Sequence, residues 1–347
     1  MVIMNFNLKK QSDYFSLTNT NCLKGILAIC VCICHLWGSI SANTGLSTDN
    51  FIVHNIGRIC TSLGYLSVAC FFFLSGYGLM YQYQKKGKEY LNGFLFKRVM
   101  PLYLVCIIFI AFYACTNIAF GETVKIENVV QSFLFGGTII SKGWYLQSII
   151  LWYVLFFLSF NFVKNDNIKL ALLLLSFVLY VVLCLCLELG STWYEGCFSL
   201  LLGVAFAKWK EKIDRALSTR YILYLILLLS LFAVTFVFGN SSLLGTAMRI
   251  ISKCISASLF PMIVVLLLQY VKINNIITAF LGKLYLEIYI LHGFFLQICY
   301  SKYITIKNPL LYGVTVFTGT IVASLIIHPG LQKILALGRT KGKKVGK

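Results

Sequence analysis

Charge is scarce in this 347-residue chain: only 12% of its residues are charged and 59% are hydrophobic, with a mean hydropathy of +0.84. A soluble domain carries about 25% charged and about 45–50% apolar residues. Too few polar side chains remain here to cover a surface facing water, which excludes a soluble enzyme, a disordered chain and a fibre. Acids are scarcer still, 11 against 30 bases. The bases sit in short loops between apolar runs, with no continuous basic face and no nucleic-acid motif, so nucleic acid is not an expected partner. Proline is reduced to four residues, at 101, 261, 309 and 329, mostly near the ends of apolar runs. No fixed-period repeat or low-complexity linker divides the chain. The 13 cysteines lie mostly within apolar segments and do not read as a disulfide framework. No small-residue cleavage site follows the first apolar run, which is therefore expected to be an uncleaved span. No myristoylation or prenylation signal is present.

What the chain has in abundance is long apolar segments. A helix needs about 20 apolar residues to cross roughly 30 Å of hydrocarbon. Segments near 22–42, 59–83, 99–119, 144–163, 169–187, 192–207, 221–239, 251–271, 280–300 and 310–331 meet this requirement, the one at 192–207 being short and polar at its start. The expected fold is an all-α integral membrane protein, a bundle of about ten transmembrane helices. It is read as one membrane domain over residues 1–347 with no soluble extracytoplasmic domain. Val124–Ile140, bounded by Gly121 and Gly136–Gly137, is amphipathic and reads as an interfacial or re-entrant piece. Ten spans place both termini on one side. If that side is the cytoplasm, inner segments hold 21 bases and outer segments 6. The positive-inside rule then gives N-in, C-in.

Ionisable groups inside spans are costly and mark function by default. In the first span Lys24 and His35 are eleven residues apart, about three helical turns and roughly 16 Å of rise, on one helix face. A snorkelling lysine and a packed histidine are the structural alternative. Cys30, Cys32 and Cys34 precede His35, but only Cys30 and Cys34 share a face and no companion pair supplies four ligands, so no metal site is expected. The second span ends Phe71-Phe72-Phe73-Leu74-Ser75-Gly76-Tyr77-Gly78, small residues that let a helix or an acyl chain approach beside an aromatic wall. The third begins Lys97-Arg98-Val99-Met100-Pro101, where Arg98 at a helix start suits phosphate, or else anchors the span to the cytosol. Trp144-Tyr145-Leu146 opens the fourth span at an interface. In the ninth, Glu287 and His292 are five apart, about 140° around the helix, so each is expected to meet a partner from another span. His328 precedes Pro329 and reads as a capping or kink residue.

Taken in order, these segments resemble the acyltransferase 3 family, multi-span bacterial enzymes that O-acylate cell-surface polysaccharides, peptidoglycan and related glycans. The carriers of the resemblance are the basic residue, ten positions and His of Lys24–His35; the Phe-Phe-x-Leu-Ser-Gly-like run Phe72–Gly76; the basic start Lys97–Pro101; the Trp144-Tyr145-Leu146 element; and Tyr289–His292. The family usually has Arg where this chain has Lys24, so the charge is kept and the planar fork is not.

The resemblance implies acyl transfer from a cytoplasmic thioester, acetyl-CoA or another acyl-CoA as co-substrate, to a hydroxyl of a cell-surface or lipid-linked glycan. No bound cofactor and no metal are implied. His35 becomes the base, Lys24 a catalytic cation that positions the donor or stabilises negative charge, and Arg98 and Lys97, with Lys85 and Lys86 nearby, holders of the nucleotide phosphates. Phe72, Ser75 and Gly76 line the acyl passage. Asp49, Glu195, Glu287, His292 and Trp144 contact the acceptor or support those that do. The expected setting is the bacterial cytoplasmic membrane, with lipids as neighbours and the oligomeric state open. The alternative is a flippase for a lipid-linked sugar, which ordinarily shows internal repeats and broken midplane helices. A non-catalytic scaffold leaves the buried His and Glu without a role.

Overall fold

A computed structural model of the chain describes residues 5–6, 11, 13–44, 50–134, 139–241, 244–301 and 303–344. The architecture is all-helical apart from one two-residue antiparallel pair, β1 (Asn5–Phe6) with β2 (Val271–Lys272). The helices are α1 (Leu17–Asn43), α2 (Phe51–Lys86), α3 (Met100–Ala119), α4 (Ile126–Leu134), α5 (Trp144–Phe162), α6 (Asp166–Cys186), α7 (Thr192–Glu195), α8 (Phe198–Lys208), α9 (Lys210–Thr219), α10 (Tyr221–Gly239), α11 (Thr246–Leu268), α12 (Ile276–Lys283), α13 (Tyr285–Ile298) and α14 (Pro309–Lys344).

Among the described residues, eight helices are long and apolar enough to cross a membrane, and nine if the bent pair α12–α13 counts as one span. The sequence segments near 22–42, 59–83, 99–119, 144–163, 169–187, 221–239, 251–271 and 310–331 each fall on one of the eight. Two segments differ. The stretch 192–207 is broken at Gly196–Cys197 into α7 and an eleven-residue α8, and eleven residues rise only about 16 Å, half a bilayer core. The stretch 280–300 is bent by 73° between Lys283 and Tyr285. The amphipathic piece within Val124–Ile140 is the nine-residue α4. The span α10 has only 11% of its most apolar window buried inside the protein, and Ile222, Leu223, Ile226, Leu227 and Val234 are exposed. Such a face is stable only against lipid.

The chain divides into two compact units. The first comprises Met1–Val31, Ser62–Lys85 and Phe177–Tyr285. In it α2 and α8 meet at glycines: a Cβ on Gly76 would strike the Leu200 carbonyl oxygen, and one on Gly203 the Phe73 carbonyl oxygen. Removing side chains on both helices lets the backbones touch, the packing that membrane helices favour. Phe15 closes an aromatic cluster there with Phe73, Tyr77 and Phe206. Just before it, the buried Tyr14 donates its hydroxyl to Asp214 Oδ1 of α9 at 2.5 Å, and Lys210 Nζ holds Asp214 Oδ2 at 2.5 Å. Burial first, and then the bond to the carboxylate, pushes the Tyr14 phenol well above the ordinary tyrosine range.

The second unit comprises Cys32–Thr61, Lys86–Ser176 and Leu286–Lys347. Phe94, Phe156 and Phe160 fill its interior beside fully buried Trp152. Helix α13 is tied to α3 by Tyr113 OH donating to the Ile290 carbonyl at 2.8 Å, and to α14 by Tyr312 OH donating to the Leu296 carbonyl at 2.9 Å. These bonds fix the helix that carries Glu287 and His292.

Candidate functional site

Two histidines of the second unit, His35 and His328, meet ionisable side chains of α13. His35, from the later part of α1, is half-buried, and its ring lies against that of His292, with centroids 5.2 Å apart and planes 16° from parallel. His292 is 1% exposed; its Nδ1 lies 3.2 Å from the Ile288 carbonyl oxygen one turn back, and its Nε2 is buried without a partner among the described residues.

The stretch Ser141–Lys142 closes on the same helix. Tyr289 OH donates to the Lys142 carbonyl at 2.8 Å. Lys142 adopts φ 63°, a left-handed conformation that costs a non-glycine residue energy and so is held by its surroundings. Gly293 lets the stretch approach, since a Cβ there would lie 2.6 Å from the Ser141 carbonyl oxygen. The Lys142 side chain itself is exposed. Two stacked imidazoles inside an apolar chain can accept protons or hydrogen bonds.

One turn and more from His292, Glu287 is fully buried. Its Oε1 lies 2.6 Å from His328 Nδ1, and its Oε2 has no partner among the described residues. Both α13 residues therefore meet partners from other helices, as their angular separation predicts. His328 has more to do than cap or kink α14: it is the counter-group of a buried acid.

The other expected residues are dispersed. Lys24 lies in the earlier part of α1, its Nζ 5.3 Å from the centre of the Tyr285 ring. Glu195 is buried, with Ser191 Oγ donating to its Oε1 at 2.6 Å. Phe72 is fully buried and Ser75 half-buried, while Gly76 is taken up by the contact with α8, so its small size already has a packing cause. Arg98 does not stand at a helix start: Leu95–Val99 is a π-helical turn running into α3, and Arg98 lies 6.0 Å from the Tyr90 ring centre. Lys97 Nζ donates to the Asn92 carbonyl at 2.7 Å. Trp144 opens α5 half-buried beside Tyr145. Asp49 lies outside the described residues. Among the described residues no cluster of three or more His, Cys, Asp or Glu is arranged to hold a metal.

A family model described as an acyltransferase domain, that of acyltransferase 3, matches residues 18–328. The chain belongs to the acyltransferase 3 family. No curated protein and no solved structure matches it. The matched stretch runs from the start of α1 to His328 and so contains Lys24, both stacked histidines and Glu287 with its partner. The protein is thus a multi-span membrane acyltransferase of the acyltransferase 3 family, acting on an acyl donor and an acceptor. Lys142 is the residue of this neighbourhood that the sequence reading does not single out, since it reads only as one loop base among several.

Proposed function

We propose that this acyltransferase is an O-acyltransferase of the bacterial cytoplasmic membrane, moving an acyl group, acetyl in the simplest case, from acyl-CoA on the cytoplasmic side to a hydroxyl of a cell-surface or lipid-linked glycan. On a count of ten crossing segments, the α7–α8 and α12–α13 stretches included, the 21 inner against 6 outer bases give N-in, C-in. The observation that carries the reading is the stacked imidazole pair His35–His292. A hydroxyl attacking a thioester needs a base, and histidine is the side chain suited to it near neutral pH.

His35 takes the hydroxyl proton as the oxygen attacks the thioester carbonyl carbon. The C–S bond breaks as the C–O bond completes, and the imidazolium returns the proton to the departing thiolate. Lys24, Lys97 and Arg98 offset the negative charge of the donor, and Phe72 and Ser75 flank the acyl passage. Glu195, Glu287, His292, Trp144 and Asp49 face or support the acceptor.

Full-length protein in proteoliposomes, given radiolabelled acetyl-CoA and envelope glycan from cells lacking the protein, should yield labelled glycan. His35→Ala should abolish the label with the amount of folded protein unchanged. Labelling at the wild-type rate in that variant would remove the base assignment. Glycan movement across the bilayer without label would replace the enzyme by a transporter.

A further inference from the structure

The second imidazole has a definite chemical state. The Ile288 carbonyl oxygen can only accept, so Nδ1 of His292, 3.2 Å from it, carries the ring proton. In the neutral ring the lone pair then stands at Nε2. That nitrogen is buried, on a residue 1% exposed, with no donor among the described residues. A buried acceptor left unpaired costs roughly 1–3 kcal/mol, so such an atom marks a place where a partner belongs. The partner must be a donor. This rules out the thioester carbonyl and the donor's phosphate oxygens, which only accept. It also rules out the reacting hydroxyl itself, whose single proton goes to His35.

We infer that His292 Nε2 binds a second hydroxyl of the acceptor, the neighbour of the one acylated, so that the stacked pair selects vicinal diols. The inference rests on the O-acyl transfer reading above. The rings lie 5.2 Å apart and 16° from parallel, so a group bound at His292 would sit next to one bound at His35. Tyr289 and Gly293, which flank His292 on α13, fasten the Ser141–Lys142 turn to the same stretch of helix. Water or a simple alcohol meets His35 alone and loses the second contact.

The test uses full-length protein in proteoliposomes with acetyl-CoA and the envelope glycan of cells lacking the protein. If wild type labels no glycan, the O-acyl transfer reading fails, and the failure is separate from this one. Given labelling, His292→Phe should raise the KM for glycan about tenfold, leave the KM for acetyl-CoA unchanged and leave the pH profile in place. His292→Gln, which keeps an accepting oxygen, should restore most of the loss. An unchanged glycan KM, a parallel rise in both KM values, or a displaced acid limb of the pH profile would overturn the inference. A wild-type measurement covers the case in which neither variant folds. Glycan treated with periodate and then borohydride, which splits neighbouring hydroxyl pairs, should be a markedly poorer acceptor; equal labelling of treated and intact glycan would sink the idea.

Discussion

Gly76 and Gly203 in the first unit, and Glu287 and His292 in the second, are all buried, for opposite reasons. The glycines are inside because two backbones touch there and no Cβ fits. The acid and the histidine are inside although burial opposes them, each met by a side chain from another helix and each left with one polar atom that has no partner among the described residues. Two motifs of similar standing in the sequence thus divide. The small-residue run is accounted for by packing. The Glu287–His292 run is not, since an apolar core needs neither group. A motif points to chemistry most strongly where packing gives no reason for it.

The largest effect expected from this contrast is on catalysis. His35→Ala should cut acyl transfer about 10²–10⁴-fold, the ordinary contribution of a general base, with little change in the melting temperature of the detergent-solubilised protein. A comparable loss of stability would make the ring structural and erase the distinction drawn above.

Next come substitutions that test why each pair is buried. Gly76→Ala should destabilise the protein by about 2 kcal/mol, because the methyl group meets the Leu200 carbonyl and the helices must separate. His328→Ala should cost roughly 2 kcal/mol, less than for a fully buried pair because His328 is 27% exposed. Joint replacement of Glu287 and His328 by leucine should recover much of that loss, since an apolar pair needs no counter-charge. Thermal unfolding of the three variants in one detergent reads all of these. If Gly76→Ala were silent, the run Phe72–Gly76 would be free to line a passage as the sequence alone suggested.

The eight spans were legible because hydropathy is a local sum: twenty apolar residues announce a helix wherever it packs. The break between α7 and α8 and the bend before Tyr285 were not, because both depend on what surrounds short segments that are apolar either way. The site divides along the same line. His35 and Glu287 stand out as ionisable groups in apolar runs, and the 140° between Glu287 and His292 foretold separate partners. The identity of those partners was hidden. Glu287 and His328 are 41 residues apart on different helices, and the left-handed turn that presents Lys142 is a property of the folded backbone.

A smaller effect probes the polar layer of the first unit. Tyr14→Phe should cost about 1.5 kcal/mol through loss of the bond to Asp214 while Lys210 keeps its own. Its pH dependence has a definite sign. The folded phenol titrates above the unfolded one, so the folded state holds the proton longer. The difference between wild type and variant is therefore constant below about pH 10. Above that it shrinks, because the unfolded wild-type chain ionises first and the folded state loses ground. Melting curves from pH 7 to 11 should show the two converge; a constant gap would mean that the hydroxyl is not buried against the carboxylate.

The smallest effect is the sharpest control. Gly78 lies two residues beyond Gly76 on the same helix, yet a Cβ there meets nothing within 4 Å. Alanine at that position adds no clash and removes the backbone freedom that glycine gives the unfolded chain. Gly78→Ala should therefore stabilise by about 0.5–1 kcal/mol. The opposite signs of Gly76→Ala and Gly78→Ala isolate helix contact from every general consequence of replacing a glycine in α2. If both variants lost stability alike, the cause would lie in the helix rather than in its contact with α8, and burial of Gly76 would no longer tell packing from chemistry.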